Sequence, residues 1–400
     1  MQVNDTRLLF AARIVRLFAY GFLSVVLVLF LASIELDPHR IGLLLTLTLV
    51  GDVLVSLYLT TRADIFGRRR TLIAGALLMI GAGIVFAFTR DFTLLLVAAT
   101  IGVISPSGNE VGPFLAIEQV ALAQAETTRD RTSVFAWYNL AGSFATAVGA
   151  LCGGLFSTAA SYRSVVVAYA LFGAVLAAIF LRVSRAVEPR TPPRTSFGVH
   201  RSGGIIAKLS ALFALDSFAG GLVVQSIVAY WFFRRFGVSP AVIGAIFFGA
   251  NLLAGVSALA AAAIARRIGL VNTMVFTHLP SNVLLVLVPF MPNLPLAIAV
   301  LLVRFSISQM DVPTRQAYLM EVVDESERTA AAGVTGVART TGAALAPVLA
   351  VPMIASSRDW VPFVAAGAMK IVYDLLLLRS ARPSLSTDAA PPRPAENPES

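Results

Sequence analysis

The chain has 400 residues, of which 57% are hydrophobic and 13% charged, and its mean hydropathy is +0.81. A soluble protein of that composition would have too little polar surface to show to water, so its solvent is lipid. A net charge of +9 invites nucleic acid as a partner, but the charge falls in loops and tails; one cysteine, Cys152, excludes an intramolecular disulfide, and three scattered histidines (His39, His200, His278) argue against a histidine-built metal site.

Twelve stretches are long and apolar enough to cross a ~30 Å hydrocarbon layer as helices. They fall at about 9–34, 41–61, 71–89, 92–121, 132–156, 162–183, 207–233, 240–264, 271–290, 294–321, 329–355 and 360–378. The first reads as a retained span, being too long for a signal core and followed by no small-x-small cleavage site; it carries Arg13 and Arg16. Span two holds Asp52 and runs into Asp64-Ile65-Phe66-Gly67-Arg68-Arg69-Arg70. Span four holds Ser105-Pro106-Ser107-Gly108-Asn109-Glu110-Val111-Gly112-Pro113, and then Glu118.

Residues 184–206, rich in Arg, Pro, Ser and Thr, form the longest internal loop and separate six spans from six. Beyond it, span seven carries Asp216 and Gln225, and span eight runs into Arg266-Arg267-Ile268-Gly269. Span nine holds His278 beside Pro280 and Asn282; span ten holds Arg304, then Ser308-Gln309-Met310-Asp311-Val312-Pro313 and Arg315. Arg339 lies on span eleven, and Lys370 and Asp374 on span twelve. Residues 380–400 contain five prolines and almost no large apolar side chain, a composition expected of a disordered tail. The expected organisation is a six-helix bundle over 1–183, a linker over 184–206, a second bundle over 207–379 and the tail. Pro38, Pro240, Pro292 and Pro295 mark short outer turns.

With the N-terminus in the cytoplasm, the inner loops and tails hold eighteen arginines and the outer loops six: Arg40, Arg90, Arg163, Arg234, Arg235 and Arg358. This asymmetry puts both termini in the cytoplasm of a multi-pass inner or plasma membrane protein. It also accounts for the basic charge, and no nucleic-acid partner is expected.

The two halves echo each other at a spacing near 200. The loop after Asp52 is answered by Arg266-Arg267-Ile268-Gly269, the 105–113 segment by 308–313, and Arg131-Thr132 by Arg328-Thr329. Such a register implies duplication of a half-protein, and in membranes two repeated halves usually enclose a transported solute.

Twelve spans, a parallel six-plus-six duplication and a basic loop after span two resemble the major facilitator superfamily. The resemblance covers residues 1–380 and is sharpest at Asp64, Gly67, Arg68 and Arg69, which match the family's gating motif in the loop between spans two and three. Thr60 departs from it where a leading glycine is expected, and Ile65 where a basic residue is expected. The resemblance implies that Asp64 meets the N-terminus of the eleventh helix, near Ser326-Glu327-Arg328-Thr329; a plain basic loop is the simpler reading. Gly142, Gly149, Gly153 and Gly154 on span five suggest an antiporter motif without its proline, and Gly333, Gly336, Gly342 and Pro347 on span eleven have similar spacing. Helix packing explains both sets equally well. Residues 98–105 also lack the basic residue of drug–proton antiporters.

The same resemblance implies that spans one, four, seven and ten surround the central cavity. On them lie the expected cavity residues Arg16, Asn109, Glu110, Glu118, Asp216, Gln225, Arg304, Gln309, Asp311 and Arg315, with Asp52 as a further buried acid. Ionisable groups in hydrocarbon are costly and point to function. Asp311 and Arg315 are spaced i,i+4 and are expected to pair. Arg16 and Asp216 share a register and are expected to face each other; Asp52 is expected near Arg13 or Arg16. Lys370 and Asp374, also i,i+4, are read as a structural pair, and His278 as a hydrogen-bonded packing residue. Pro106, Pro113, Pro313 and Pro347 are expected to kink spans four, ten and eleven.

The function expected is that of a monomeric secondary active transporter moving a small solute by alternating access. It is expected to be proton-coupled through Glu110, with export ahead of import. Protons, the solute and membrane lipids are its expected partners, and no cofactor, metal or enzymatic activity is expected. Two alternatives stand beside it. One is a uniporter or anion symporter of the same fold using Arg16, Arg304 and Arg315; the other is a non-transporting sensor.

Overall fold

The computed structural model describes residues 3–125, 128–156, 161–184, 187–188, 202–324 and 327–387. These residues are helical or in short connections, and no strand occurs among them. Span one is α1 (Val3–Ser24) and α2 (Leu27–Ser33), bent by 44° at their junction. Spans two and three are α3 (Pro38–Phe66) and α4 (Arg68–Phe88). Span four is split into α5 (Phe92–Ile101) and α6 (Phe114–Ala125), and α7 (Thr128–Leu155) and α8 (Tyr162–Arg182) complete the first half.

The second half repeats the plan. Span seven is α9 (Gly203–Gly221) and α10 (Gln225–Phe236), followed by α11 (Pro240–Ile268) and α12 (Leu270–Leu287). Span ten is α13 (Leu294–Ser308) and α14 (Asp311–Val322), span eleven is α15 (Arg328–Ala344) and α16 (Pro347–Ala355), and span twelve is α17 (Val361–Thr387). Among the described residues nine helical segments are long and apolar enough to cross a membrane, or ten with the bent first pair. The broken span four and the glycine-rich α7 occupy the two remaining expected places. Helix α17 continues beyond residue 380 to Thr387, and 388–400 lie outside the described residues.

The ends of the helices follow local chemistry. Asp37, Asp91 and Asn293 each accept a hydrogen bond from a backbone N–H two or three residues on, at 2.9, 2.9 and 3.0 Å. Pro38 and Pro240 occupy first-turn positions, where a missing N–H costs nothing. Within span four, Pro106 removes a donor and Gly108 and Gly112 take φ of +72° and +81°, so residues 102–113 leave the helix altogether. The expected kinks in spans ten and eleven are breaks just before Asp311 and Pro347. The breaks at Ser24 and at 222–224 have no proline and were not expected.

The halves meet along α7 and α11, along α3 with α15 and α16, and along α2 with α10. Gly149 and Gly153 lie against the backbone carbonyls of Phe18 and Phe22 on α1, where an added Cβ would overlap them. The span-five glycines thus serve close helix packing. Large apolar side chains such as Leu54, Phe88, Leu171 and Phe276 point outward, as lipid-facing surfaces require.

Candidate functional site

Each half buries its own charge network. In the first, Arg16 on α1 is fully buried and donates two parallel hydrogen bonds to Glu118 on α6, both at 2.7 Å. Its Nε donates to Glu110 at 2.7 Å, and the other Glu110 oxygen accepts from Arg13 at 2.9 Å. Arg13 also donates to the carbonyl of Tyr138 and the side chain of Asn139, and the Tyr138 hydroxyl donates to Glu118. Two arginines therefore meet two glutamates with nearly every polar atom satisfied, the arrangement that makes a buried ion pair tolerable. Glu118 is fully buried; the Glu110 side chain keeps 15% of its exposure.

The second network centres on Asp216 of α9. Lys370 on α17 donates to it at 2.6 Å and Arg315 on α14 at 3.1 Å, while Arg315 also lies 3.2 Å from Asp311. Next to it, Asp374 holds His278 Nδ1 at 2.9 Å and accepts from Asn282 at 2.9 Å. Arg304 on α13 stacks its guanidinium over the Phe305 ring, and Arg339 projects from α15. The Nε atoms of both are buried without a hydrogen-bond partner among the described residues.

The expected Asp311–Arg315 pair is present, and His278 is a hydrogen-bonded buried residue as read. Other pairings differ. Arg16 does not meet Asp216, because each finds its counter-charges within its own half. Asp52 takes the Gly112 N–H at 2.6 Å and the Ser56 hydroxyl at 3.1 Å rather than an arginine. Lys370 and Asp374 do not form the structural pair expected; Lys370 reaches inward to Asp216. Asn109 is exposed in the span-four break, and Gln309 lies at the span-ten break, its N–H on the Ser257 hydroxyl.

Further along spans one and seven, a neutral seam joins the halves. Gln225 on α10 donates to Ser24 at the end of α1 at 2.8 Å, and its carbonyl oxygen accepts from Asn251 on α11 at 3.1 Å. The backbone N–H of Ser226 donates to the carbonyl of Pro106 at 3.1 Å. The broken helices supply these groups: carbonyls freed at 102–113 are taken by Tyr169, Tyr20 and Ser226. Sequence reasoning found Gln225 but missed Ser24 and Asn251, which are ordinary polar residues until three breaks bring them to one level.

The basic loop carries a finding of its own. Gly67, at φ +96°, turns the chain between α3 and α4. The carboxylate of Glu188 accepts from the backbone N–H groups of Arg68 and Arg69 at 2.7 and 3.2 Å, capping α4 from the linker. The Arg69 guanidinium donates to the carbonyls of Phe180 and Leu181 at the end of α8, and Arg68 donates to that of Val187. Arg68 and Arg69 thus tie span three to span six. The Asp64 side chain and Ser326 lie outside the described residues.

The Major Facilitator Superfamily model matches residues 9–347 and 209–398. An uncharacterized membrane protein of Saccharomyces cerevisiae is 32% identical over 417 residues, covering 94% of this chain and 93% of its own. The chain superposes on a bacterial homolog of the human lysosomal transporter Spinster, solved inward-facing and unoccupied, with a TM-score of 0.76 at 13% identity over 99% of this chain and all of that one. It superposes on a D-xylose-proton symporter with a TM-score of 0.73 at 15% identity, over 93% and 96% of the two chains. Helix order, duplicated halves and sequence agree: the chain is a multi-pass, all-helical member of the Major Facilitator Superfamily, with the fold of its transporters.

Proposed function

We propose that the chain is a proton-coupled secondary transporter that moves a small solute by alternating access of two halves, residues 1–183 and 207–379, joined by the linker 184–206. Both termini face the cytoplasm, as the arginine asymmetry favours. The observation that carries this reading is the seam: spans one, four and seven break at one level and bridge the halves there through Gln225–Ser24 and Ser226–Pro106. Two halves joined at one level by a few exchangeable hydrogen bonds, each with its own buried charge network, suit one end state of alternating access. The superposed symporter, whose own partners are D-xylose and protons, supports the coupling by likeness of fold.

Glu110 is the proposed proton site. It is the partly exposed acid of the first network and joins Arg13 to Arg16. Protonating it would loosen the tie between α1 and the span-four break, coupling proton binding to helix movement. The test is solute-driven proton flux in proteoliposomes with wild type and Glu110→Gln. The variant is expected to lose coupled flux while remaining folded. Unchanged flux and pH dependence in the variant would remove Glu110 from the role, and absence of any flux in the wild type would favour a sensor.

A further inference from the structure

The charges of the second network do not balance locally. Asp216 and Asp311 are claimed by Lys370 and Arg315, and Asp374 by His278 and Asn282. Arg304 and Arg339 are left over. Neither forms a salt bridge with a described residue, and each has a buried Nε without a partner. Both lie within electrostatic range of the same two carboxylates, Asp216 and Asp311, and Arg339 also feels the like charge of Arg315. Two guanidinium groups, one on α13 and one on α15, are thus left near the same two carboxylates with no counter-charge of their own. An uncompensated cation at membrane depth is expensive, and a guanidinium fork matches the geometry of a carboxylate or phosphate.

We infer that Arg304 and Arg339 form an anion-binding arm of the solute cavity, taking the carboxylate or phosphate of a small organic solute. The inference rests on the transporter reading above and supplies its substrate class. It also redistributes the arginines. All three nitrogens of Arg16 are taken by Glu110 and Glu118, and Arg315 is committed through Nη1 to Asp216 and Asp311, so both already have carboxylate partners. The same oxyanion chemistry is carried by a lipid headgroup, so the test separates soluble anions from lipid.

The full chain is purified in neutral detergent and its unfolding midpoint measured with benzoate, glutarate or inorganic phosphate, each against chloride at equal ionic strength, and separately with phosphatidylglycerol. At saturation at least one soluble anion is expected to raise the midpoint by roughly 3–5 °C. Arg304→Gln and Arg339→Gln are expected to weaken that response more than tenfold in anion concentration. Arg304→Lys and Arg339→Lys should keep part of it, which decides the matter if the glutamine variants fail to fold. No response to any soluble anion, an undiminished response in the glutamine variants, or a response to phosphatidylglycerol alone overturns the inference. Proteoliposome flux separates the two readings. Flux of a neutral solute without anion binding defeats this inference alone; arginine-dependent anion binding without any flux upholds the site and defeats the transporter reading.

Discussion

Arg16 shows how a permanent cation is accommodated in hydrocarbon. Each of its three nitrogens donates to one of two glutamates in a bond of 2.7 Å, and none of its surface is exposed. Removing one partner of such a pair is far worse than removing both, because the survivor stays buried and uncompensated. Glu118→Leu is therefore expected to destabilise the chain by about 3–5 kcal/mol. The double variant Arg16→Leu with Glu118→Leu should recover part of that loss, since Glu110 keeps Arg13. Denaturant unfolding in detergent measures both, and a double variant less stable than the single one would show that the pair stabilises beyond charge compensation. At this scale the membrane-embedded charges were legible in the sequence, but only some of their pairs were. Asp311–Arg315 was legible because helical periodicity alone brings i and i+4 together. Arg16–Glu118 depends on how closely α1 and α6 approach, and Lys370–Asp216 on which face of α17 turns inward, and neither is encoded locally.

The helices themselves were legible wherever apolar length or proline marked them, and obscure wherever tertiary contact did the marking. Pro106, Pro313 and Pro347 announced the breaks in spans four, ten and eleven. The breaks at Ser24 and Val224 carry no proline; at the second the Ser226 N–H is taken by the carbonyl of Pro106, and at the first the Ser24 hydroxyl accepts from Gln225, contacts that only the folded chain supplies. The cap of α4 was equally hidden, since Glu188 sits about 120 residues away in a linker that composition marks as polar and nothing more. Its carboxylate holds the first two N–H groups of α4 at the positive end of the helix dipole. Glu188→Ala is expected to cost about 0.5–2 kcal/mol. The change should be local: amide hydrogen exchange should quicken several-fold at Arg68 and Arg69 and stay unchanged in α12. Uniform acceleration across the molecule, or none at α4, would count against the cap.

For the whole molecule the decisive contact is the seam, because it is small, polar and joins the two halves. Gln225 links Ser24 to Asn251, while α2 and α10 pack their apolar faces beyond it. Neutral hydrogen bonds of this type contribute about 0.5–1.5 kcal/mol each, strong enough to bias two conformations and weak enough to be exchanged. Gln225→Leu removes two of them and leaves the Ser226–Pro106 backbone bond, so the seal should loosen without the fold failing. The population open on the α2–α10 side is then expected to rise roughly 5- to 30-fold, the factor that one to two kcal/mol implies. Cysteine labelling reads this directly, since Cys152 is the only native thiol and Cys152→Ser clears the background. A reporter at Val228→Cys, buried in α10 at 4% exposure, should react with a membrane-impermeant maleimide faster in the Gln225→Leu background than without it. Ser24→Ala, which removes one bond, should give an intermediate rate. Equal labelling in all three would mean that the apolar packing of α2 against α10 closes this side alone and that Gln225 is a passive filler; a graded response would make the seam the element through which the two halves choose between their states.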